Sequence, residues 1–229
     1  MRLVITLLSV IVFNLSGKNQ SIVELQKLLK HVKYESFVVP HNFTTDSCPK
    51  EDFVFPEGLV IPPQYRCQFG LAFKYYPELR DVKIEFQFKH VSTTLQAQPV
   101  ISSLFRSEVR YKIIVNNNPD FEGILFDSIP FNGQVGIIAH ELAHILDYKY
   151  KTRFGIVATG LKYLFKGYKR RYEKAIDYLV IQKGLGWQLH DWAQYAMYDS
   201  RATSEYKTFK MDFYLEPDEV KSIIGKPRE

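Results

Sequence analysis

The 229-residue chain lacks the features that mark several classes of protein. It has no internal repeat and no low-complexity tract, which argues against a solenoid and against a disordered protein. It also has no apolar run of the about 18 residues that a membrane-spanning helix requires. The basic residues that give a net charge of +5 are spread along the chain, which argues against nucleic-acid binding. With 46% hydrophobic residues, the sequence predicts one globular domain with a sizeable core.

Cysteine is scarce, since Cys48 and Cys67 are the only two. A paired count in an exported chain predicts a disulfide, and two free thiols are the alternative. Neither cysteine is expected to bind a metal.

The first residues resemble a targeting signal. Arg2 is followed by an apolar run over residues 3–13, and Ser16 and Gly17 are small residues near a potential cleavage point. We therefore expect residues 1–17 to be a signal peptide and residues 18–229 to form a single exported domain, periplasmic or secreted. An uncleaved N-terminal membrane anchor is the alternative.

Residues 140–144 read His-Glu-Leu-Ala-His, an H-E-x-x-H sequence. They lie within the helical apolar pattern of residues 134–148, for which Asn132 is the expected N-cap. Residues four apart return to nearly the same helix face, so His140 and His144 could bind one Zn²⁺ at about 2.0–2.1 Å. Glu141 would then flank the metal and could take a proton from water. The alternative is that both histidines are ordinary core residues.

A catalytic zinc needs a third protein ligand and one open position. A metzincin would place a histidine six residues after His144, where this chain has Tyr150. Glu173 and Asp177 lie four residues apart on a predicted helix over residues 171–180, whose buried stripe is otherwise apolar. We expect Glu173 to bind the metal and Asp177 to accept the second ring N–H of a ligating histidine. A solvated acidic edge is the alternative.

The two motifs together, H-E-x-x-H and then E-x-x-x-D on a second helix, resemble the gluzincin zinc metallopeptidases, the group that contains thermolysin. The resemblance covers residue 132 to about residue 184, with 28 residues between His144 and Glu173. It implies an α+β, zincin-like fold with a small, mostly antiparallel sheet, an active-site helix and a second zinc-ligand helix. It also implies Zn²⁺ as cofactor, with His140, His144 and Glu173 as its ligands. Glu141 would be the catalytic base, and Asp177 would accept a hydrogen bond from a ligating histidine.

The group further uses a side chain that steadies the oxyanion, and no motif assigns it here. Tyr178, His190 and Arg201 are candidates by residue type only. The resemblance predicts a metalloendopeptidase-type hydrolase that acts on a peptide or protein substrate. The rival interpretation is a catalytically silent secreted module in which zinc only ties two helices together, and the intact Glu141 argues against it.

Basic residues interleaved with aromatic ones occupy residues 162–171. This pattern would suit a membrane-interfacial helix or a groove for acidic substrates. We expect instead a solvated approach to the Glu173 helix, so neither membrane contact nor a nucleic-acid partner is expected.

The remaining elements follow from hydrophobic periodicity. Helices are predicted over residues 21–32 and over residues 63–76, and a half-buried strand over residues 81–90. Two more strands are predicted over residues 111–115 and 123–126, joined by a turn. Trp187 and Trp192 are expected in the core, beside a helix break at Gly184 and Gly186.

Overall fold

The computed structural model of the protein describes residues 41–49 and 53–225, which belong to one compact unit. The fold is α+β. The signal peptide expected at residues 1–17 and the helix expected over residues 21–32 lie outside the described residues. No helix within the described ranges is long and apolar enough to cross a membrane.

Three strands and seven α-helices form the described part of the chain. The strands are β1 (Ile84–Lys89), β2 (Leu95–Pro99) and β3 (Tyr111–Asn116). The helices are α1 (Arg66–Phe73), α2 (Phe131–Lys149), α3 (Arg153–Lys162), α4 (Lys166–Val180), α5 (Gly186–Gln194), α6 (Ser204–Phe213) and α7 (Pro217–Ile224). Short 3-10 turns at Pro63–Tyr65, Ile101–Phe105 and Phe126–Ser128 join several of them.

The sheet is mixed, in the order β1-β3-β2. Its central strand β3 carries Ile113, Ile114 and Val115, all buried, as expected for β-branched residues of a strand covered on both faces. β3 is antiparallel to β2 and parallel to β1. The expectation of a mostly antiparallel sheet is therefore wrong. β1 and β2 run in opposite directions and β3 lies between them, so one of its two ladders has to be parallel.

Two of the three expected strands are confirmed, at Ile84–Lys89 and Tyr111–Asn116. The strand expected over residues 123–126 is absent. There the Ser128 N–H donates to the Leu125 carbonyl at 3.0 Å, which closes a local turn instead of a ladder. Ile124 and Phe126 are buried as single residues of this loop, which explains the strand-like apolar signal.

Helix α2 is the centre of the core, with every residue from Asn132 to Asp147 buried. It packs against β2, α1, α4 and α5. Gly136 permits the close approach to α5, because a Cβ atom there would lie 2.0 Å from the carbonyl oxygen of Gln188.

The expected N-cap at Asn132 is wrong, since the helix begins at Phe131 and Pro130 occupies the cap position. The Asn132 side chain is used for tertiary contacts instead. It accepts from the Phe43 N–H at 2.8 Å and donates to the Asp191 carboxylate at 2.6 Å.

Helices α4 and α5 meet at the expected break, where Gly184 has a φ of 90° inside a π-helical turn, Ile181–Leu185. Only glycine adopts this conformation readily. Trp192 is buried as expected, whereas Trp187 is partly exposed. Cys48 and Cys67 form the expected disulfide, with their Cα atoms 5.5 Å apart.

Candidate metal centre

Two helices bring His140, His144 and Glu173 together. The histidines lie one turn apart on α2, and Glu173 lies on α4, which packs against α2. All three side chains are buried. They form a group whose ligand atoms all lie within 4.8 Å of one another.

The distances between these atoms match a metal site. The Nε2 atom of His140 lies 3.1 Å from Nε2 of His144 and 3.1 Å from Oε2 of Glu173. The third side of the triangle, from His144 Nε2 to Glu173 Oε2, is 3.4 Å. In a tetrahedral site with bonds of about 2.0–2.1 Å, neighbouring ligand atoms are about 3.3–3.4 Å apart. The structure therefore contains a buried group that could bind a metal ion of this size.

Asp177 contacts this group through the Nδ1 atom of His140. Its Oδ1 atom lies 2.8 Å from His140 Nδ1, and its Oδ2 atom accepts from the Leu215 N–H at 2.8 Å. A carboxylate at Nδ1 places the ring proton there and leaves the lone pair of Nε2 directed at the triangle. Glu173 and Asp177 are only 1% and 2% exposed, so the alternative of a solvated acidic edge does not hold.

The cluster needs a positive charge. Burial alone would lower the pKa of His140, but Asp177 and Glu173 outweigh it and, as long as no metal is bound, raise that pKa to about 10. Burial would likewise raise the pKa of Glu173, but His144 and His140 hold it well below its usual range. A proton on the imidazoles or a metal cation therefore has to accompany the buried carboxylates.

Glu141 lies beside the triangle without being part of it. Its Oε2 atom accepts from the Ala97 N–H of β2 at 2.5 Å. Burial raises the pKa of the Glu141 carboxyl, although the two neighbouring histidines oppose the rise. A carboxylate with a raised pKa is suited to exchange protons near neutral pH.

Tyrosines that the motifs do not indicate complete the surroundings. The Tyr163 hydroxyl donates to Oε1 of Glu173, a carboxylate of the possible metal group. The ring of Tyr214 lies 5.5 Å from that of His140, and the ring of Tyr172 lies 5.4 Å from that of His144. Burial, together with the charge of Glu173, raises the pKa of Tyr163, so its hydroxyl stays protonated as a donor.

The oxyanion candidates chosen by residue type are not brought to this group by any contact in the described part of the chain. His190 instead pairs with Asp191 at 3.0 Å, Arg201 is exposed, and Tyr178 is half-buried on α4. The tyrosine that does contact the group, Tyr163, was not among these candidates. Tyr163 lies before α4, where no periodicity or motif indicates its role.

A surface groove reaches the cluster at Tyr163. Its volume is about 720 Å³, and its lining includes Tyr163, Lys169, Phe209 and Phe213. None of the three possible metal ligands lines it. Tyr163 thus lines the groove and also bonds to the buried Glu173 carboxylate.

Comparison of the chain with protein-family models, with curated proteins and with solved structures finds no match. The interpretation of the site therefore depends on its geometry and on the two sequence motifs.

Proposed function

We propose that this protein is a zinc metallopeptidase of the gluzincin type and that His140, His144 and Glu173 hold the zinc ion. The triangle formed by their three ligand atoms, with sides of 3.1, 3.1 and 3.4 Å, carries the proposal. Two imidazoles and one carboxylate are a ligand set of catalytic zinc, and three protein ligands leave one position open. When bound, the zinc ion polarises a carbonyl group and lowers the pKa of a water molecule to about 7.

Each neighbouring residue has a distinct task in this proposal. Glu141 takes the proton of the attacking water and then delivers it to the leaving amine. The Ala97 N–H holds the Glu141 carboxylate in place. Asp177 keeps the proton of His140 on Nδ1, and Tyr163 orients the Glu173 carboxylate.

The position of β2 supports a zincin-like arrangement with a peptide substrate. β2 is an edge strand that packs on α2. Thr94 and Val100 bond to β3, so the alternation of a strand directs the backbone groups of Leu95 and Ala97 away from the sheet. The Ala97 N–H already donates to Glu141, and Pro99 has no N–H. An extended peptide would therefore bind this edge through its remaining backbone groups, such as those of Leu95.

The test is digestion of a peptide library by the purified full chain, with a chelator and after zinc is restored. Hydrolysis should stop with the chelator and return with zinc. Glu141→Gln should retain about one zinc per chain but lose hydrolysis, because an amide cannot accept the proton of water. Glu205→Gln, at an exposed position of α6, is the matched control and should remain active. Undiminished hydrolysis in Glu141→Gln would contradict the mechanism.

The burial of the three ligands favours a second candidate, the catalytically silent module. In that case the metal would only tie α2 to α4, as closed structural zinc sites do. Zinc removal would then lower the free energy of unfolding of the wild-type chain, and no peptide in the library would be cleaved. Hydrolysis that depends on Glu141 decides against this candidate.

A further inference from the structure

Helix α3 presents an apolar face to solvent, which is the reverse of an ordinary surface helix. Phe154, Val157 and Leu161 are exposed, whereas Ile156 and Thr159 are its only buried residues. Their spacing of three and four residues places the exposed side chains on one stripe. Phe154 alone is 73% exposed.

The stripe continues beyond the helix. Leu164, in the turn before α4, is 82% exposed, and Phe165 next to it is also exposed. On the other side, the Arg153 guanidinium donates to the Ser107 carbonyl at 2.9 Å. This bond fastens the chain just after the Ile101–Phe105 turn to the start of α3. Single exposed apolar residues are common, but a contiguous set of this kind marks an interaction surface.

The same turn adds two further apolar side chains, since Ile101 and Phe105 are both exposed and Phe105 is 86% exposed. The adjacent Arg106 is exposed as well. The Arg153–Ser107 bond thus ties the chain next to this turn to α3, although about 50 residues separate them in sequence.

The charges around the stripe have one sign. Between Asp147 and Glu173 the chain contains eight Lys or Arg residues and no Asp or Glu. Asp212 pairs with Lys166 at 2.8 Å and with Arg170 at 3.2 Å. Arg153 and Lys162 form no ion pair with any residue that the structure describes. The surface therefore keeps an excess of positive charge beside its apolar stripe.

We propose that α3, the turn after it and the Ile101–Phe105 turn form a docking surface for an anionic lipid bilayer. An apolar stripe flanked by cations is the pattern of helices that lie in the plane of a membrane interface. The apolar side chains enter the headgroup boundary while Arg153 and Lys162 contact anionic headgroups. At ten residues, α3 is too short to span a bilayer. This inference differs from the expectation of a solvated segment and does not depend on the proposed peptidase activity.

The experiment compares sedimentation of the full chain with phosphatidylcholine vesicles and with vesicles that also contain about 30% phosphatidylserine. The wild-type chain should bind the anionic vesicles more tightly, and added salt should weaken this binding. Phe154→Ser with Leu161→Ser should lower the partition constant at least about tenfold, because two apolar side chains no longer enter the interface. Lys162→Glu, which reverses a cation that forms no ion pair within the described residues, should lower it by about tenfold or more.

Matched controls keep the test specific. Val60→Ser changes another highly exposed apolar residue, and Lys89→Glu changes an exposed cation at the end of β1. Both should bind like the wild type. Every chain keeps its N-terminus, so any contribution of the apolar run over residues 3–13 is common to all. A tryptophan placed by Phe154→Trp should shift its emission to the blue with anionic vesicles, whereas one placed by Val60→Trp should not.

Three results would overturn the proposal. The first is equal binding of the wild type to neutral and anionic vesicles. The second is full binding by the Phe154→Ser and Leu161→Ser double variant. The third is a dimer in light scattering that this double variant dissociates, without vesicle binding by the wild type, because the stripe would then be a contact between two copies of the chain.

Discussion

Asp177 offers the sharpest test of the candidate site, because its two oxygens serve two different donors. One accepts from His140 Nδ1 and the other from the Leu215 N–H, each at 2.8 Å. Asp177→Asn keeps the shape of the side chain, but its amide has a single oxygen and an NH₂ group. That NH₂ group has to face one of the two donors. The substitution therefore removes a charge and one acceptor at a position that is 2% exposed.

The size of the effect depends on which donor the amide group faces. If it faces His140, the ring proton moves to Nε2, the atom directed at the metal, and zinc affinity falls. Partners of this kind contribute about 10- to 100-fold to metal affinity, which corresponds to about 1.4–2.7 kcal/mol. If it faces Leu215, a buried N–H loses its acceptor and the free energy of unfolding falls by about 1–3 kcal/mol. We expect weaker zinc binding as the main effect, accompanied by a loss of unfolding free energy smaller than this range of about 1–3 kcal/mol.

Competition against a chelator of known affinity measures the first effect, and urea unfolding measures the second. Asp191→Asn is the control, because Asp191 is also a carboxylate paired with a histidine, His190, but lies outside the metal ligands. This control should keep wild-type zinc affinity. Zinc affinity and free energy of unfolding that both equal those of the wild type in Asp177→Asn would refute the role assigned to Asp177 and, with it, the second half of the gluzincin-like motif.

Three further predictions concern proton release, packing and the disulfide. Without a metal, the pKa of His140 is raised to about 10. Charged His140 therefore stabilises the metal-free fold, fully at a pH below the ordinary histidine pKa of about 6.5. This stabilisation is lost as the pH rises through about 10. Zinc binding to His140 must displace that proton. Calorimetry in buffers of different ionisation enthalpy should therefore show about one proton released per zinc bound near pH 7, and a zinc affinity that rises with pH. If no proton is released, His140 is not charged in the metal-free protein. Gly136→Ala should lower the free energy of unfolding by about 1–3 kcal/mol, because the added Cβ would lie 2.0 Å from the Gln188 carbonyl oxygen; Gly160→Ala, with nothing within 4 Å, should raise it by up to about 1 kcal/mol in the same unfolding assay. Intact-mass measurement with alkylation should find the Cys48 and Cys67 thiols blocked until reduction, and reduction should cost about 3 kcal/mol for a loop with a sequence separation of 19; two thiols that react without reductant would rule the bond out.

Local periodicity predicts the parts of this fold whose signal lies within one helix. The apolar stripe of α4 is buried as expected at Tyr172, Ile176, Leu179 and Val180. The same stripe explains why Glu173, one residue after Tyr172, is buried with it. The convergence of α2 and α4 was predicted from the ligand requirements of zinc, not from any packing rule.

Strands were harder to predict, because their partners are distant in the chain. β2 was missed although Leu95, Ala97 and Pro99 alternate with Gln96 and Gln98, and the structure buries the first three. Glutamine and proline are poor strand formers, so the residue propensities of this segment argue against a strand. The alternation of apolar residues with glutamines nevertheless indicates one. Its consequence was missed as well, since the Ala97 N–H that holds Glu141 comes from this strand.

The prediction of an N-cap at Asn132 was wrong for a related reason. An asparagine just before an apolar helical run is a local N-cap signal. In the fold, however, the side chain bonds to Phe43 and to Asp191, about 89 and 59 residues away in sequence. These long-range partners replace the local one, and Pro130 occupies the cap position before Phe131 instead. Tyr163 was missed on the same grounds, because its contact with Glu173 depends on how the turn before α4 folds back.

Charge balance explains why a divalent metal suits this cluster better than a proton does. Glu173, Asp177 and Glu141 are three buried carboxyl groups around two imidazoles. A single proton on the two imidazoles offsets only one negative charge, which leaves Glu173 and Asp177 with a net charge of −1 even when Glu141 is neutral. A divalent cation between neutral imidazoles offsets both Glu173 and Asp177. Burial raises the pKa of the Glu141 carboxyl beside this group. The charge count therefore agrees with the proposal that Glu141 accepts and returns a proton.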